Sequence, residues 1–121
     1  MKSYGLTLQL KDDPLLIERY KEHHRHVWPA VLSRMQECGI TRMQIFLLGT
    51  RMFMYIDTTD GFEPARDFAR INADPRSAEW NTLMRTMQQP VPEAREGEWW
   101  ALMERVFDTE WPQHREQAVG D

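Results

Sequence analysis

With one cysteine in 121 residues the chain cannot form an internal disulfide, and a free Cys38 is expected to stay reduced in a cytoplasmic setting. No apolar run approaches the roughly 18 residues that a membrane span requires. The opening MKSYGLTLQL alternates like a strand and offers no cleavable apolar segment. An excess of basic charge is also missing. The 15 Lys and Arg against 19 Asp and Glu leave a formal net charge of -4 and a pI near 5.6. That is the wrong sign for a phosphate-tracking surface, so no nucleic acid partner is expected. No Gly-rich loop precedes a helix, no serine stands in a nucleophile-elbow context, and Cys38 has no evident base beside it. Nucleotide and nucleophilic chemistry therefore have little support. Internal repeats, linkers and low-complexity tracts are absent as well.

What remains is an ordinary globular composition, 41% hydrophobic and 28% charged, long enough for one core and too short for two. Tyr4, Leu6, Leu8 and Leu10 alternate with Gly5, Thr7, Gln9 and Lys11, which predicts a half-buried strand over about residues 3–11. After KDDP, the residues Leu16, Tyr20, His24, Val27, Val31 and Met35 fall at three- and four-residue steps. They predict an amphipathic helix over about 13–38 that ends near Gly39 and is kinked or restarted at Pro29. TRMQIFLL and RMFMYIDT read as strands joined by a hairpin at GTR. Phe62, Ala65, Phe68 and Ile71 carry a helical period, and Asp74 before Pro75 reads as a second helix start. GEWWALMERVFDTEW is expected to be a final strand with both faces covered, and PQHREQAVGD a loosely held polar tail.

The order β-α-β-β-α-β predicts an α+β fold, a ferredoxin-like sandwich with helices on one face of a four-stranded antiparallel sheet. One domain over residues 1–108 and a tail over 109–121 are expected. Met43, Ile45, Leu47 and eight methionines in all are more apolar material than one helical layer readily buries. A homodimer packed sheet to sheet is therefore expected.

The stretch ERYKEHHRHVWP concentrates three of the four histidines. Tyr20, His24 and Trp28 stand four residues apart and share one helix face, whereas His23 and His26 point away among Lys21, Glu22 and Arg25. A phenol, an imidazole and an indole together offer a hydroxyl, acid-base capacity and a flat apolar wall for the C–H face of a sugar ring. The plainer reading makes His24 a core histidine with satisfied ring nitrogens. A metal site would need three or four converging ligands, and EHHRH has no second cluster to complete it, so none is expected. Trp80, Leu83, Met84 and Met87 form a further helical stripe with Glu79 at its margin, by itself compatible with simple core packing.

The pattern Y-x-x-x-H-x-x-x-W-P, met here as Tyr20, His24, Trp28 and Pro29, resembles the L-rhamnose mutarotase family, small dimeric ferredoxin-like enzymes of 6-deoxy-sugar metabolism. The resemblance extends over about residues 3–108. It implies a dimeric α/β-barrel type of fold, His24 as proton donor and Tyr20 as a sugar contact. The family's Trp-Trp pair falls on Glu79 and Trp80, so one indole carries over, and a sugar-contacting tyrosine falls on Met43. These two departures bear on the substrate more than on the reaction. L-Rhamnose and L-fucose differ at C2 and C4, and a carboxylate at Glu79 could accept a hydrogen bond that an indole could not.

The resemblance thus implies a cofactor-independent aldose mutarotase for a 6-deoxy-L-hexose, with L-fucose slightly favoured over L-rhamnose. His24 would protonate the ring oxygen, Tyr20 bond the sugar, Trp80 stack on it, and Glu79 or water act as base. No cofactor is required. The alternatives are a non-catalytic sugar-binding or regulatory module, and a dimeric ferredoxin-like monooxygenase or haem-handling protein with His24 as iron ligand.

Overall fold

A computed structural model describes residues 1–114. In chain order it contains β1 (Lys2–Leu10), α1 (Pro14–Arg25), α2 (Pro29–Glu37), β2 (Ile40–Leu48), β3 (Arg51–Thr58), α3 (Pro64–Ala73), α4 (Pro75–Arg85), β4 (Gln88–Gln89) and β5 (Ala101–Leu102). Each of α1 to α4 opens on a proline, whose missing N–H would be unpaired there in any case. Asp13, Glu63 and Asp74 precede three of those prolines and accept backbone N–H groups of the first turn.

The single helix expected over 13–38 is two helices. Pro29 cannot donate to the ladder and holds Trp28 extended, so α1 stops at Arg25 and α2 starts afresh. Gly39, at φ +102°, closes α2 in a left-handed conformation that other residues rarely adopt. Gly49, at φ +62°, makes the tight connection between β2 and β3 that the GTR hairpin predicted.

The sheet is antiparallel in the order β2-β3-β1-β4, the ferredoxin-like arrangement. β3 occupies one edge of β1 over its whole length, so β4 and β5 share the other, opposite Gln9–Leu10 and Leu6–Thr7 respectively. Of the long final strand expected from GEWWALMERVFDTEW, only Ala101–Leu102 pairs with β1, and with Gln88–Gln89 upstream of that stretch it makes a fourth strand in two short pieces. Pro90 and Pro92 break the ladder after Gln89, the chain makes an excursion, and pairing resumes only at Ala101. Beyond Leu102 the Arg105 guanidinium bonds Ser3 Oγ and its carbonyl instead of continuing the strand.

Leu6, Leu8 and Leu10 of β1 lie on one face with Met52, Met54 and Ile56 of β3, buried under the helices. Met43, Ile45 and Leu47 pair with Ile56, Met54 and Met52, so they share this helix-facing side instead of supplying the second apolar face. The opposite side presents Phe46 and Phe53 stacked 6.3 Å apart, with Leu48 beside them at the strand end. Cross-strand register, invisible to alternation alone, decides which face is which. Of the expected polar tail, residues 109–110 form a turn and 112–114 are helical, with Trp111 and His114 packed on Phe107. The remainder lies outside the described residues.

Candidate active site

Two positions four apart on α1 bring Tyr20 and His24 onto the helix face that looks at the sheet. Tyr20 is buried, His24 is half-buried, and their ring centroids are 4.2 Å apart. The Nδ1 of His24 lies 2.8 Å from the Tyr20 carbonyl oxygen. A carbonyl only accepts, so Nδ1 carries the hydrogen and Nε2 is left with its lone pair for the cavity. Burial lowers the His24 pKa from the ordinary imidazole value, the backbone bond to Tyr20 opposes this, and the neighbouring His23 adds to the lowering. Burial thus favours the neutral imidazole, and the Nδ1 bond fixes its tautomer at the cavity wall.

Trp80 comes from α4 and is 4% exposed. Its ring meets His24 edge-on at 5.6 Å and Trp28 at 5.2 Å. Trp80 thereby stands between His24 and Trp28, and the Arg76 guanidinium covers the Trp28 ring at 4.3 Å. Between sheet and helices lies a cavity of about 1350 Å³, lined among others by Tyr20, His24, Met43 and Trp80. That exceeds the roughly 300–1,000 Å³ of common small-molecule sites, so its polar groups and not its size must select a ligand.

Trp28 and Glu79 do not line this cavity. They border a shallow depression on the outer side of α4. Successive helix residues are turned by about 100°, so an inward Trp80 sends Glu79 outward. Its side chain is 62% exposed and paired with Arg76 at 2.9 Å. The structure therefore does not bring Glu79 to His24, as sugar contact or as base. Trp28 acts as a buttress for Trp80. His23 meets the Trp80 ring edge-on at 6.2 Å, and His26 is exposed beside Glu22.

Two residues that the sequence reading did not single out complete the site. Gln88 in β4 is 4% exposed, and its amide Nε2 donates to the Tyr20 hydroxyl oxygen at 3.0 Å. The Trp99 indole Nε1 donates to Gln88 Oε1 at 2.8 Å. In the sequence only the Trp-Trp pair at 99–100 hints at this, within a stretch whose alternation predicts a regular strand. Burial pushes the Tyr20 pKa up to about 12, despite the opposing bond from Gln88, so the phenol keeps its proton at neutral pH.

Among the described residues, no group of three or more His, Cys, Asp or Glu could hold a metal ion, and no helix is long and apolar enough to cross a membrane. The arrangement supplies a proton acceptor, a neutral hydroxyl and an indole wall, which is equipment for proton transfer on a polar ligand with an apolar side.

A profile of the L-rhamnose mutarotase family matches residues 3–109. The chain is 37% identical over 109 residues to an L-fucose mutarotase of Xanthomonas campestris pv. campestris, covering 88% of this chain and 87% of that one. It is 43% identical over 114 residues to a UPF0734 protein of Dictyostelium discoideum, covering 91% of each. In fold it is similar to an L-rhamnose mutarotase of Formosa agariphila, with a TM-score of 0.68 at 18% identity over 91% of this chain and 100% of that one. It is equally similar to the tetracenomycin F2 cyclase of Streptomyces glaucescens, with a TM-score of 0.69 at 16% identity over 93% of this chain and 100% of that one.

Proposed function

Because the chain belongs to the L-rhamnose mutarotase family and is a 6-deoxy-hexose mutarotase, an isomerase acting on carbohydrates, we propose that His24 carries the proton that opens and closes the sugar ring. The observation that supports this most directly is the Nδ1 bond to the Tyr20 carbonyl, which leaves the hydrogen off Nε2 of an imidazole that lines the cavity. Ring opening must remove a proton from the anomeric hydroxyl O1 and deliver one to the ring oxygen O5. Both oxygens are bonded to C1, so one nitrogen can serve both.

Neutral His24 takes the O1 proton. The O1–H electron pair becomes the C1=O bond, and the C1–O5 pair moves onto O5. The imidazolium then donates its proton to O5 and returns to its starting state. Rotation about C1–C2 followed by the reverse sequence gives the other anomer. His24 thus remains the proton donor to the ring oxygen and also replaces Glu79 as the base. Positioned acid-base catalysis contributes about 10²- to 10⁴-fold, a scale suited to a reaction that already proceeds unaided in water.

Tyr20 hydrogen-bonds the sugar, Trp80 provides the wall against its C–H face, and Met43 stands on the sheet side of the cavity. The preference for L-fucose, with L-rhamnose second, draws support from the Xanthomonas relative; Glu79, exposed outside the cavity, does not support it. A homodimer formed through the face carrying Phe46, Phe53 and Leu48 is part of the same proposal, since these three apolar side chains are exposed among the described residues. So is a reducing cytoplasmic location, in keeping with the free, buried Cys38. Exchange NMR of the anomeric protons of L-fucose and L-rhamnose at equilibrium, with and without protein, is the test. Faster α/β exchange for either sugar is expected, greater for L-fucose; no acceleration of either by folded protein would overturn the reading.

A further inference from the structure

Behind Tyr20 runs a chain of buried hydrogen bonds through Gln88 to Trp99. Its direction follows from chemistry. An indole N–H can only donate, so the Gln88 atom facing Trp99 must be the carbonyl oxygen, and the amide nitrogen must face Tyr20. An amide nitrogen also only donates, so the Tyr20 oxygen accepts this bond. Its own hydrogen is thereby displaced to another direction, and Tyr20 lines the cavity.

The fold invests in this orientation. Gln88 is anchored in the sheet opposite Leu10. The excursion after Pro90 is closed by Glu98, whose carboxylate accepts the Arg95 N–H at 2.8 Å and the Leu102 N–H at 3.1 Å. These bonds fix the residue next to Glu98, Trp99, and the Arg85 guanidinium covers its ring at 4.7 Å. The split in the fourth strand is what returns an indole to the far side of Gln88.

We propose that Gln88, its amide turned by Trp99, is a positioning residue that holds the Tyr20 hydroxyl as a hydrogen-bond donor toward the ring oxygen of the sugar. The proposal rests on the mutarotase reading and adds a specific role to the phenol. When the C1–O5 pair moves onto O5, that oxygen bears developing negative charge until His24 returns the proton. A preoriented O–H aimed at it stabilises this charge without rearrangement. A phenol turned the other way would oppose lone pair to lone pair.

Gln88→Glu is the discriminating variant, because its size is conserved and its polarity is not. The ionised carboxylate still accepts from Trp99 but also captures the Tyr20 hydrogen. The expected result is a loss of about 10²-fold in kcat with little change in KM. Tyr20→Phe should lose a comparable amount, and the double variant should be no slower than Tyr20→Phe alone, since Gln88 acts only through Tyr20. Unchanged kcat in Gln88→Glu, or additive losses in the double variant, would overturn the proposal.

The ¹⁵N-labelled indole resonance of Trp99 reads the relay independently of activity. It should keep its hydrogen-bonded shift in Gln88→Glu and lose it in Gln88→Met; indifference to Gln88→Met would overturn the relay even if the wild-type protein accelerated neither sugar. Absence of exchange in the wild type, with the resonance behaving as expected, would instead sink the mutarotase reading. Should Gln88→Glu fail to fold, Trp99→Phe frees the amide to flip and must lower kcat with KM little changed; full activity there would be equally fatal.

Discussion

Replacing His24 by alanine separates chemistry from folding, and both parts can be sized from the site. The imidazole is half-buried and packs on two rings, Tyr20 at 4.2 Å and Trp80 at 5.6 Å. At about 0.5–1.5 kcal/mol per aromatic pair, its removal costs about 1–3 kcal/mol of stability. For a domain of this size, at roughly 4 °C per kcal/mol, the Tm falls by about 4–12 °C. Measured against a typical total stability of about 5–15 kcal/mol, the variant stays folded at 25 °C. The chemical loss is larger. Without a positioned acid-base group the exchange rate should fall by about 10²- to 10⁴-fold, or about 3–5 kcal/mol of barrier. Anomeric exchange NMR with a parallel thermal melt reads both. The pH dependence adds a sign. The neutral imidazole is the starting form and its pKa is lowered by burial, so wild-type activity should rise with pH through a value below 6.5 and be flat above neutrality. A folded His24→Ala with wild-type exchange would refute the assignment, as would activity that falls as pH rises from 5 to 7.

The remaining expectations concern the frame around the site. Leu8 is fully buried in the central strand, so Leu8→Ala should cost about 2–5 kcal/mol in chemical denaturation; a cost below 1 kcal/mol would mean that the core collapses around the gap. Asp67 is buried and bonded by Arg66, the Glu63 N–H and Arg70, and these hold its carboxyl well below the usual carboxylate range. Its contribution is present above the unfolded value near pH 4 and is lost as pH falls through the folded one. Asp67→Asn should therefore lower the Tm at neutral pH and flatten its dependence on acid, whereas parallel Tm-pH curves would contradict the assignment. On the open sheet face, Phe53→Glu should convert a dimer to monomer in size-exclusion chromatography with light scattering; an unchanged mass would move the interface elsewhere.

Much of this frame was legible from local signals. Alternation from Tyr4 to Leu10 marks β1, the Asp74–Pro75 pair marks the start of α4, and Trp28–Pro29 marks the break between α1 and α2, because each depends on neighbours in the chain. The i, i+4 spacing of Tyr20 and His24 likewise carried over to a shared cavity. Three features depended on distant partners and were not readable. Gln88–Gln89 has no apolar alternation and becomes a strand only because β1 offers an edge. Met43, Ile45 and Leu47 share a face, but which face is set by pairing with β3. A buried Gln88 is acceptable only because an indole and a phenol arrive from positions 99 and 20. The misplaced Glu79 is different in kind, since the helical turn between adjacent residues already argued against it and Trp80 sharing one site.

The divided fourth strand sets an order in which the molecule can come apart. β1 and β3 pair over eight residues, whereas β4 and β5 each hold β1 through only two. Amides of the 88–102 segment should therefore exchange with solvent through a local opening that leaves the β1–β3 ladder protected. Such an opening withdraws Gln88 and Trp99 from Tyr20 while His24 stays on its helix. The enzyme would then pass through a folded but disarmed state before it denatures, and catalytic rate should decline with temperature ahead of the main unfolding transition.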